Sequence, residues 1–331
     1  MRLENFLALT NATLINEPCI NSFENIIFEA SKVKRGDLFF AYDSGEIELA
    51  VLNGAYGVVF DTSAKVSDSE IAWVKVDNLD VALNLLIRFK MIEKEVTVYE
   101  CNEIILKLSL QIITQTNFLA LSGNVRVIFK ELWNIEDRAT VLFCPTLTNK
   151  DIFVSIKELP QTIVEPIEIM EQTLFETSFI FKNIFYERQL LSPFFIPYLE
   201  ELLNTLEILK IEYRVKKFVP IEHFMAVFTN RNFEPKEFGT SDKVLIFEKN
   251  SQLIHSEIKF LQKNANWAKI IYIIPKNIEC ENDENIFYYK DEREIIEILK
   301  SSIFHFALIV GVDKSLLNRP TTSKQQLLFE F

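Results

Sequence analysis

The sequence predicts an α/β protein, because short apolar segments of strand type alternate with amphipathic segments of helix type at both ends of the chain. The alternation is clear before residue 93 and returns in the final third. Strands that are joined through helices pair in parallel. Both regions are therefore predicted to form mostly parallel sheets covered by helices.

The N-terminal elements follow from apolar patterns bounded by glycine and polar residues. Strands are predicted at 37–42, 56–60 and 72–76. A helix at 46–53 ends before Gly54, a residue typical of a helix C-cap. The next helix begins at Asp77 or Asn78 and runs through Ile92, with apolar residues at i, i+3, i+4 and i+7.

The remaining elements are read in the same way. In the middle of the chain, strands are predicted at 96–99 and 139–144, and helices at 103–114, 125–133 and 148–158. A β-hairpin is predicted at 178–188, and a helix at 192–209 accepts Pro193 in its first turn. In the final third, strands are predicted at 243–248, 268–274, 286–289 and 305–310, and helices at 252–264 and 291–301.

Charge and hydropathy exclude two classes of partner. Forty-seven acidic residues against 35 basic ones give a formal net charge of −12, which argues against nucleic-acid binding and against a polybasic membrane surface. The longest apolar run, 303–312, is too short to cross a bilayer and contains His305. The first 18 residues carry polar side chains where a signal peptide would be apolar. We expect a cytoplasmic protein without membrane insertion.

Glycine, cysteine and histidine exclude several kinds of site. None of the seven glycines precedes a lysine, so no Walker A phosphate loop exists, and G-x-G and G-x-S-x-G are absent too. The four cysteines form no C-x-x-C pair, and we interpret them as buried thiols in a reducing compartment. The three histidines are too scattered to predict a metal site.

Three segments at the start of the chain resemble the N-terminal domain of the Mur ligases. The run 30–41, which contains Gly36-Asp37-Leu38-Phe39, is similar to the family's D-S-R-x-V-x-x-G-D-L-F-x-A. The runs 50–59 and 76–86 are similar to A-x-x-x-G-A-x-x-V-V and V-x-D-x-x-x-A-L-x-x-L, with Asn78 in place of the aspartate. The nearest type is the ligase that adds D-alanyl-D-alanine to a UDP-muramoyl-tripeptide.

Weaker similarity continues along the chain. Leu121-Ser122-Gly123-Asn124 is similar to the family's T-x-G-N, and His255-Ser256-Glu257-Ile258 to its H-x-E-I. The resemblance implies three Mur-ligase-like α/β domains with the central one reduced. These are an N-terminal, UDP-sugar-type domain at 1–93, a central domain without a phosphate loop at 94–212, and a C-terminal α/β domain at 213–331.

The residues that the family uses for ATP chemistry are replaced. Where the family has G-x-x-G-K-T-T, this chain has the run 100–107, without glycine and with Glu100 and Glu103 where a triphosphate would sit. Phe143 aligns with the family's Mg²⁺ carboxylate, and Glu222-His223 replaces an arginine-containing run. Lys107 is interpreted as a solvated helix lysine. We therefore predict no catalytic residue, no cofactor and no metal ligand.

The UDP-sugar site is partly retained in this resemblance. Ser31 matches a serine of the family motif, Lys32 replaces its arginine, and Ser44 and Gly45 lie in the loop after the following strand. These four residues are the predicted substrate-binding set. In the alternative interpretation, Ser31 and Gly36 only shape turns. The Phe-rich segment 179–195 is interpreted as core or an interdomain seam, with a ligand box or partner surface as the alternative.

Three functions follow as hypotheses. The first is a pseudoenzyme of cell-wall (peptidoglycan) biosynthesis, a scaffold or sensor that binds a UDP-muramoyl precursor or another peptidoglycan-synthesis protein. The second is an active ligase or transferase with a rebuilt site near Ser31 and Ser44. The third is a purely structural interaction protein without a ligand.

Overall fold

The computed structural model describes residues 1–241, 243–278 and 284–318. The chain divides into two compact units. The first unit contains Met1–Leu106 and Ile113–Pro160, and the second contains Lys107–Ile112 and the chain from Gln161 onward. The domain boundaries expected at 93/94 and 212/213 stay a prediction.

The first unit begins with a mixed sheet and three helices. Its elements are α1 (Leu3–Thr10), β1 (Thr13–Leu14), β2 (Ile26–Ile27), β3 (Leu38–Phe40), α2 (Ile47–Leu52), β4 (Gly57–Phe60), β5 (Ala72–Lys75) and α3 (Leu79–Glu93). The strand order is β1-β5-β4-β3-β2, with β2 to β5 parallel and β1 antiparallel. Every residue of β3 and β4 is buried, which explains why continuous apolar runs identify these strands.

Gly57 shows how tightly this sheet is packed. A Cβ at this position would lie 2.8 Å from Leu38 Cδ1 and 2.9 Å from Phe23 Cε1. Real Cβ atoms do not approach neighbours so closely, and the neighbours are core side chains with little room to move. The start of β4 therefore requires glycine.

A second sheet completes the first unit. Its elements are β6 (Thr97–Glu100), the start of α4 (Glu103–Ile112), β7 (Phe118–Leu121), α5 (Val125–Leu132), β8 (Thr140–Phe143) and β9 (Lys157–Glu158). Residues Lys107–Ile112 of α4 belong to the second unit. All neighbours in the order β7-β8-β6-β9 are parallel. One hydrophobic core runs beneath both sheets and includes Phe40, Leu86, Phe129 and Phe143.

The helix predicted at 148–158 is wrong. The segment holds one 3₁₀ turn, Lys150–Ile152, capped by the Asn149 side chain, and then the short strand β9. The ring of Phe153 lies 4.4 Å from that of Phe143 between centroids, and this contact holds the chain extended after the turn. Tertiary packing here outweighs the local helical pattern.

The second unit contains two further sheets. Its elements are β10 (Glu168–Gln172), β11 (Thr177–Phe181), β12 (Ile184–Gln189), α6 (Ile196–Leu209), β13 (Met225–Thr229), β14 (Lys243–Glu248), α7 (Ile254–Asn264), β15 (Ile270–Pro275), β16 (Ile286–Tyr289), α8 (Glu292–Ser301) and β17 (Phe306–Val310). The three-stranded sheet β10-β11-β12 is antiparallel. The predicted hairpin is confirmed, and its turn residues Lys182 and Asn183 have φ of 51° and 61°, as a type I′ turn requires.

The five-stranded sheet has the order β13-β14-β17-β15-β16. Strands β14 to β17 are parallel, while β13 pairs with β14 in antiparallel fashion. Leu245, Ile273, Ile309 and Leu299 belong to its core. The prediction of a mixed α/β protein with several parallel sheets is confirmed.

Two further expectations concern membranes and cysteines. In the described ranges, no helix is both long and apolar enough to pass through a bilayer. Cys101 and Cys144 are buried as expected, but Cys19 is exposed, and none of the three forms a disulfide with a described residue. The exposed position of Cys19 corrects the expectation of buried thiols throughout; Cys280 lies outside the described residues.

Candidate functional site

The four predicted substrate-binding residues lie on two short turns of the first unit. The chain after β2 forms the 3₁₀ turn Ala30–Lys32, and the chain after β3 forms the 3₁₀ turn Ser44–Glu46. Because β2 and β3 are parallel neighbours, both turns lie at the carboxyl edge of one sheet. Glu46 Oε2 accepts a hydrogen bond from Ala30 N at 3.3 Å, so the turns are in contact. Ligands of open α/β sheets bind at such edges.

We call these two turns the turn cluster, and other side chains hold its shape. Asp43 Oδ1 accepts from Gly45 N at 2.8 Å, and Asn53 Nδ2 donates to Ala30 O at 2.9 Å. Ser31 and Ser44 are exposed, and their hydroxyls make no hydrogen bond to any described residue. The turns therefore do not depend on the hydroxyls, which leaves both groups for a ligand.

Two cations of α5 lie over the residues that lead into the turn cluster. The Arg126 guanidinium is 4.6 Å from the centre of the Tyr42 ring. Lys130 Nζ is 3.6 Å from Glu29 Oε1 and 5.5 Å from the centre of the Phe28 ring. Neither cation was predicted from the sequence as part of the site. Their i, i+4 spacing, opposite the buried stripe of α5, is the signal that could have identified them.

The charges at this edge are unevenly compensated. Glu29 lies 2.7 Å from Lys32 Nζ, and the hydrogen bond from Lys32, with the charge of Lys130, lowers the pKa of Glu29. Burial and the hydrogen bond to Asp80 raise the pKa of Tyr42, so its hydroxyl keeps its proton. Arg126 has no ion pair with any residue of the described ranges. Its guanidinium is thus the cation most available to an anionic ligand.

The segment that would carry a phosphate loop forms a tight turn instead. Only Cys101 and Asn102 connect β6 to α4. Asn102 Oδ1 accepts from Ile105 N at 2.9 Å, so a side chain of the protein caps the start of α4. Cys101 N donates to Phe143 O at 2.9 Å, which fixes the turn against β8. Phe143 itself is fully buried.

Lys107 differs from the solvated lysine that the sequence predicts. Its Nζ lies 3.3 Å from Glu222 Oε2, and its side chain is only 21% exposed. Both residues belong to the second unit. The lysine therefore contributes an ion pair within that unit.

A buried group of three titratable side chains lies in the second unit. His223 Nδ1 is 2.8 Å from Glu248 Oε1 at the end of β14, and Glu257 of α7 is also fully buried. The two oxygens of Glu248 also accept from Asn250 N at 2.6 Å and from Phe224 N at 3.0 Å. We call His223, Glu248 and Glu257 the buried triad.

The two carboxyl groups of the buried triad have opposite pKa shifts. Burial and the negative charge of Glu248 raise the pKa of Glu257 well above its ordinary value. Burial alone would raise the pKa of Glu248 too, but hydrogen bonds from His223 and Asn250 N lower it. Glu257 is thus the protonated partner beside an ionised Glu248. The sequence indicates the buried position of Glu257, because this acid lies on one helix stripe with the apolar residues Ile254 and Leu261.

Comparison with known proteins identifies the fold. No protein-family model matches the chain, and no curated protein sequence matches it. A structure of MurF from Acinetobacter baumannii matches with a TM-score of 0.56 and 9% identity, covering 93% of this chain and 95% of that chain. A second structure of the same enzyme matches with a TM-score of 0.53 and 8% identity, covering 96% and 99%.

A third similar structure comes from another organism. The MurF ligase from Thermotoga maritima, solved in complex with ADP, matches with a TM-score of 0.52 and 12% identity, covering 88% of this chain and 95% of that chain. Identities this low establish similarity of fold alone. The chain therefore has a Mur-ligase-like fold over nearly its whole length.

Proposed function

We propose that this protein binds a UDP-linked muramoyl precursor of peptidoglycan at the turn cluster and does not use ATP. It would then act as a pseudoenzyme in the cytoplasm, as a sensor of the precursor or a scaffold for another peptidoglycan-synthesis protein. One observation carries the proposal. Glu29 and Tyr42, which flank the turn cluster, contact Lys130 and Arg126 of α5. The turn cluster and the 121–124 run that leads into α5 both resemble the Mur ligases and are far apart in sequence.

The chemistry of this edge suits a nucleotide diphosphate linked to a sugar. A guanidinium without an anionic partner recognises phosphate oxygens through paired N–H groups. Lys32 and Lys130 share the single carboxylate of Glu29, while the carboxylates of Asp43 and Glu46 accept backbone N–H groups. The exposed hydroxyls of Ser31 and Ser44 are suited to sugar hydroxyls or phosphate oxygens.

The start of α5 favours contact through side chains. Asn124 Oδ1 accepts from Arg126 N at 3.1 Å and from Val127 N at 3.2 Å, so these two backbone donors are already used. An anion beside α5 therefore meets the Arg126 side chain, and its affinity depends on that residue.

The β6–α4 turn supports the absence of ATP use. A phosphate loop surrounds its anion with backbone N–H groups and a lysine. Here two residues make the connection, Asn102 occupies the start of the helix, and Glu100 and Glu103 add negative charge. Two like charges about 4 Å apart repel by about 4 kcal/mol at an effective dielectric constant near 20.

Titration calorimetry with UDP-muramoyl-tripeptide, with and without Mg-ATP, tests this proposal. We expect saturable binding without ATP and no heat from Mg-ATP alone. Arg126→Ala should weaken binding by about tenfold or more, equivalent to about 1.4 kcal/mol. The matched control is Arg138→Ala, because Arg138 is an 80% exposed arginine of the same unit, paired with Glu95 at 3.1 Å.

Three outcomes would contradict the proposal. Binding of Mg-ATP, with phosphate release on adding an amine substrate, would show that the protein is an active ligase with a rebuilt site. If Arg126→Ala and wild type bind the ligand with equal affinity, the ligand does not bind at the turn cluster. No binding of either compound would favour a purely structural interaction protein.

A further inference from the structure

A cavity in the second unit has no role in the proposed function. Its volume is about 140 Å³, and most of its wall is apolar. Four phenylalanines line it, together with Met225 and the ring of His223; they are Phe175, Phe195, Phe224 and Phe238. We call this cavity the phenylalanine pocket. Phe238 is 48% exposed and Leu190 is 39% exposed, so the wall reaches solvent at these two residues.

The wall is held in place by contacts among its own residues. The Phe224 ring lies 5.9 Å from that of Phe175 and 6.5 Å from that of Phe195 between centroids. Ser192 Oγ donates to Leu174 O at 2.7 Å and accepts from Phe194 N at 3.2 Å. The hydroxyl of Ser192 thus shapes the wall, and it is not placed as a nucleophile for His223.

The backbone at the base of the pocket adopts an unfavourable conformation. Phe224 has a φ of 45°, in the left-handed region that aromatic residues rarely enter. Its N–H donates to Glu248 Oε2 at 3.0 Å, so a buried carboxylate holds this conformation. Strained residues over-determined by their surroundings concentrate at ligand sites.

His223 is oriented by the same carboxylate. The imidazole is 2% exposed, and Nδ1 carries a proton because it faces the ionised Glu248. A hydrogen bond at one ring nitrogen fixes the plane of the ring. The pocket therefore presents one immobilised polar ring in an otherwise aromatic and aliphatic wall.

We propose that the phenylalanine pocket binds a small, uncharged molecule with a single aromatic ring. An apolar cavity of about 150 Å³ accommodates benzene, which matches the volume here. Phenylalanine edges and a methionine sulfur favour an aromatic guest. A charged guest is disfavoured, since the negative charge nearest the wall, on Glu248, already faces three donors, and no lysine or arginine lines the described wall.

Phenol, benzene and benzoate are the probes for an NMR titration of the full chain. We expect phenol and benzene to bind saturably with Kd of about 1 mM or below, and to shift the amide signals of Phe224, Met225 and Ala226. Benzoate should bind at least about tenfold more weakly, because its charge would lose hydration. Equal binding of benzoate, or shifts spread evenly over the protein, would overturn the assignment.

Filling the pocket provides the second test. Ala226 lines it and is half-buried, so Ala226→Leu adds volume to the cavity without entering a closed core. Ala268→Leu is the matched control, at a half-buried alanine outside the wall. We expect phenol binding to be lost in Ala226→Leu and unchanged in Ala268→Leu. Retained binding in Ala226→Leu overturns the proposal.

A rim variant covers the case in which Ala226→Leu does not fold. Phe238→Ala removes a half-exposed wall ring that lies 4.7 Å from Phe228 between centroids. Phenol affinity should fall by about fivefold or more, and an unchanged affinity would contradict the assignment. Arg126→Ala should bind phenol with the same affinity as the wild type. A wrong assignment of the phenylalanine pocket can therefore be distinguished from a wrong assignment of the turn cluster.

Discussion

The turn cluster and the buried triad both follow the carboxyl ends of parallel strands, yet water reaches only the first. Ser31, Lys32, Ser44 and Gly45 are exposed, and the ion pair of Lys32 with Glu29 is open to solvent. Glu248 and Glu257 are fully buried. Exposed ion pairs contribute little to stability, whereas breaking a buried charge network is costly. The turn cluster is therefore suited to ligand binding, and the buried triad governs stability.

The largest expected effect is the loss of Glu248. Glu248→Ala leaves Phe224 N, Asn250 N and His223 Nδ1 without their acceptor inside the protein. The free energy of unfolding should fall by about 3–5 kcal/mol, as for other buried charges whose partner is removed. Urea unfolding measures it.

Glu222→Ala is the control, because that glutamate is exposed and pairs with Lys107 at 3.3 Å. It should change stability by no more than about 0.5 kcal/mol. If Glu248→Ala and Glu222→Ala lower the free energy of unfolding by similar amounts, the proposed difference between buried and exposed carboxylates is wrong.

The pH dependence of stability gives the next effect. Glu257 has a pKa raised above the ordinary 4.5, so between 4.5 and that raised value the unfolded chain has lost a proton that the folded chain keeps. The contribution of Glu257 to the free energy of unfolding is therefore largest below pH 4.5, and it decreases as the pH rises toward the raised pKa. The slope reaches about 1.4 kcal/mol per pH unit. Glu248, with a lowered pKa, loses its contribution as pH falls below 4.5.

Glu257→Gln isolates this effect. Glutamine keeps the size of the side chain and has no proton to lose, so the decline in stability above pH 4.5 should become shallower than in wild type. Urea unfolding between pH 4.5 and 8 measures the difference. Parallel curves for the two proteins would show that Glu257 is ionised in the folded state.

The helix cap at the β6–α4 turn should have an intermediate effect. Asn102→Ala removes the acceptor for Ile105 N and should destabilise the protein by about 1 kcal/mol. Thermal unfolding measures this cost, and Mg-ATP should give no stabilisation in either protein. Stabilisation of the variant by Mg-ATP would mean that the cap competes with a phosphate site.

The smallest expected change in stability is at the turn cluster. Ser31→Ala removes an exposed hydroxyl and should change the free energy of unfolding by less than about 0.5 kcal/mol. Binding of UDP-muramoyl-tripeptide should nevertheless weaken measurably in calorimetry. If the variant binds as well as wild type, the Ser31 hydroxyl does not contact the ligand and the assigned pocket is wrong.

Sequence patterns predicted the buried strands better than the short ones. Strands β3, β4, β14 and β17 carry continuous apolar runs, which made them recognisable. Strands β1, β2 and β9 have two residues each, too few for any periodicity, and they exist only through pairing with longer neighbours.

The two sites were predictable to different degrees. The resemblance to the Mur ligases, not the strand pattern, grouped Ser31 with Ser44, because β2 is too short to predict. Arg126 reaches that edge through packing of α5, which no local pattern encodes. The protonated state of Glu257 depends on Glu248, which belongs to another element, and on complete burial. Pairwise contacts of this kind are decided by the tertiary fold.

The short connection between β6 and α4 also limits what point mutation can build here. Point substitution changes side chains but not chain length, and two residues cannot span the arc that G-x-x-x-x-G-K-[ST] makes around a phosphate. A lineage with this junction would need an insertion, loss of the Asn102 cap and new glycines before affinity for a nucleotide at this turn could be selected.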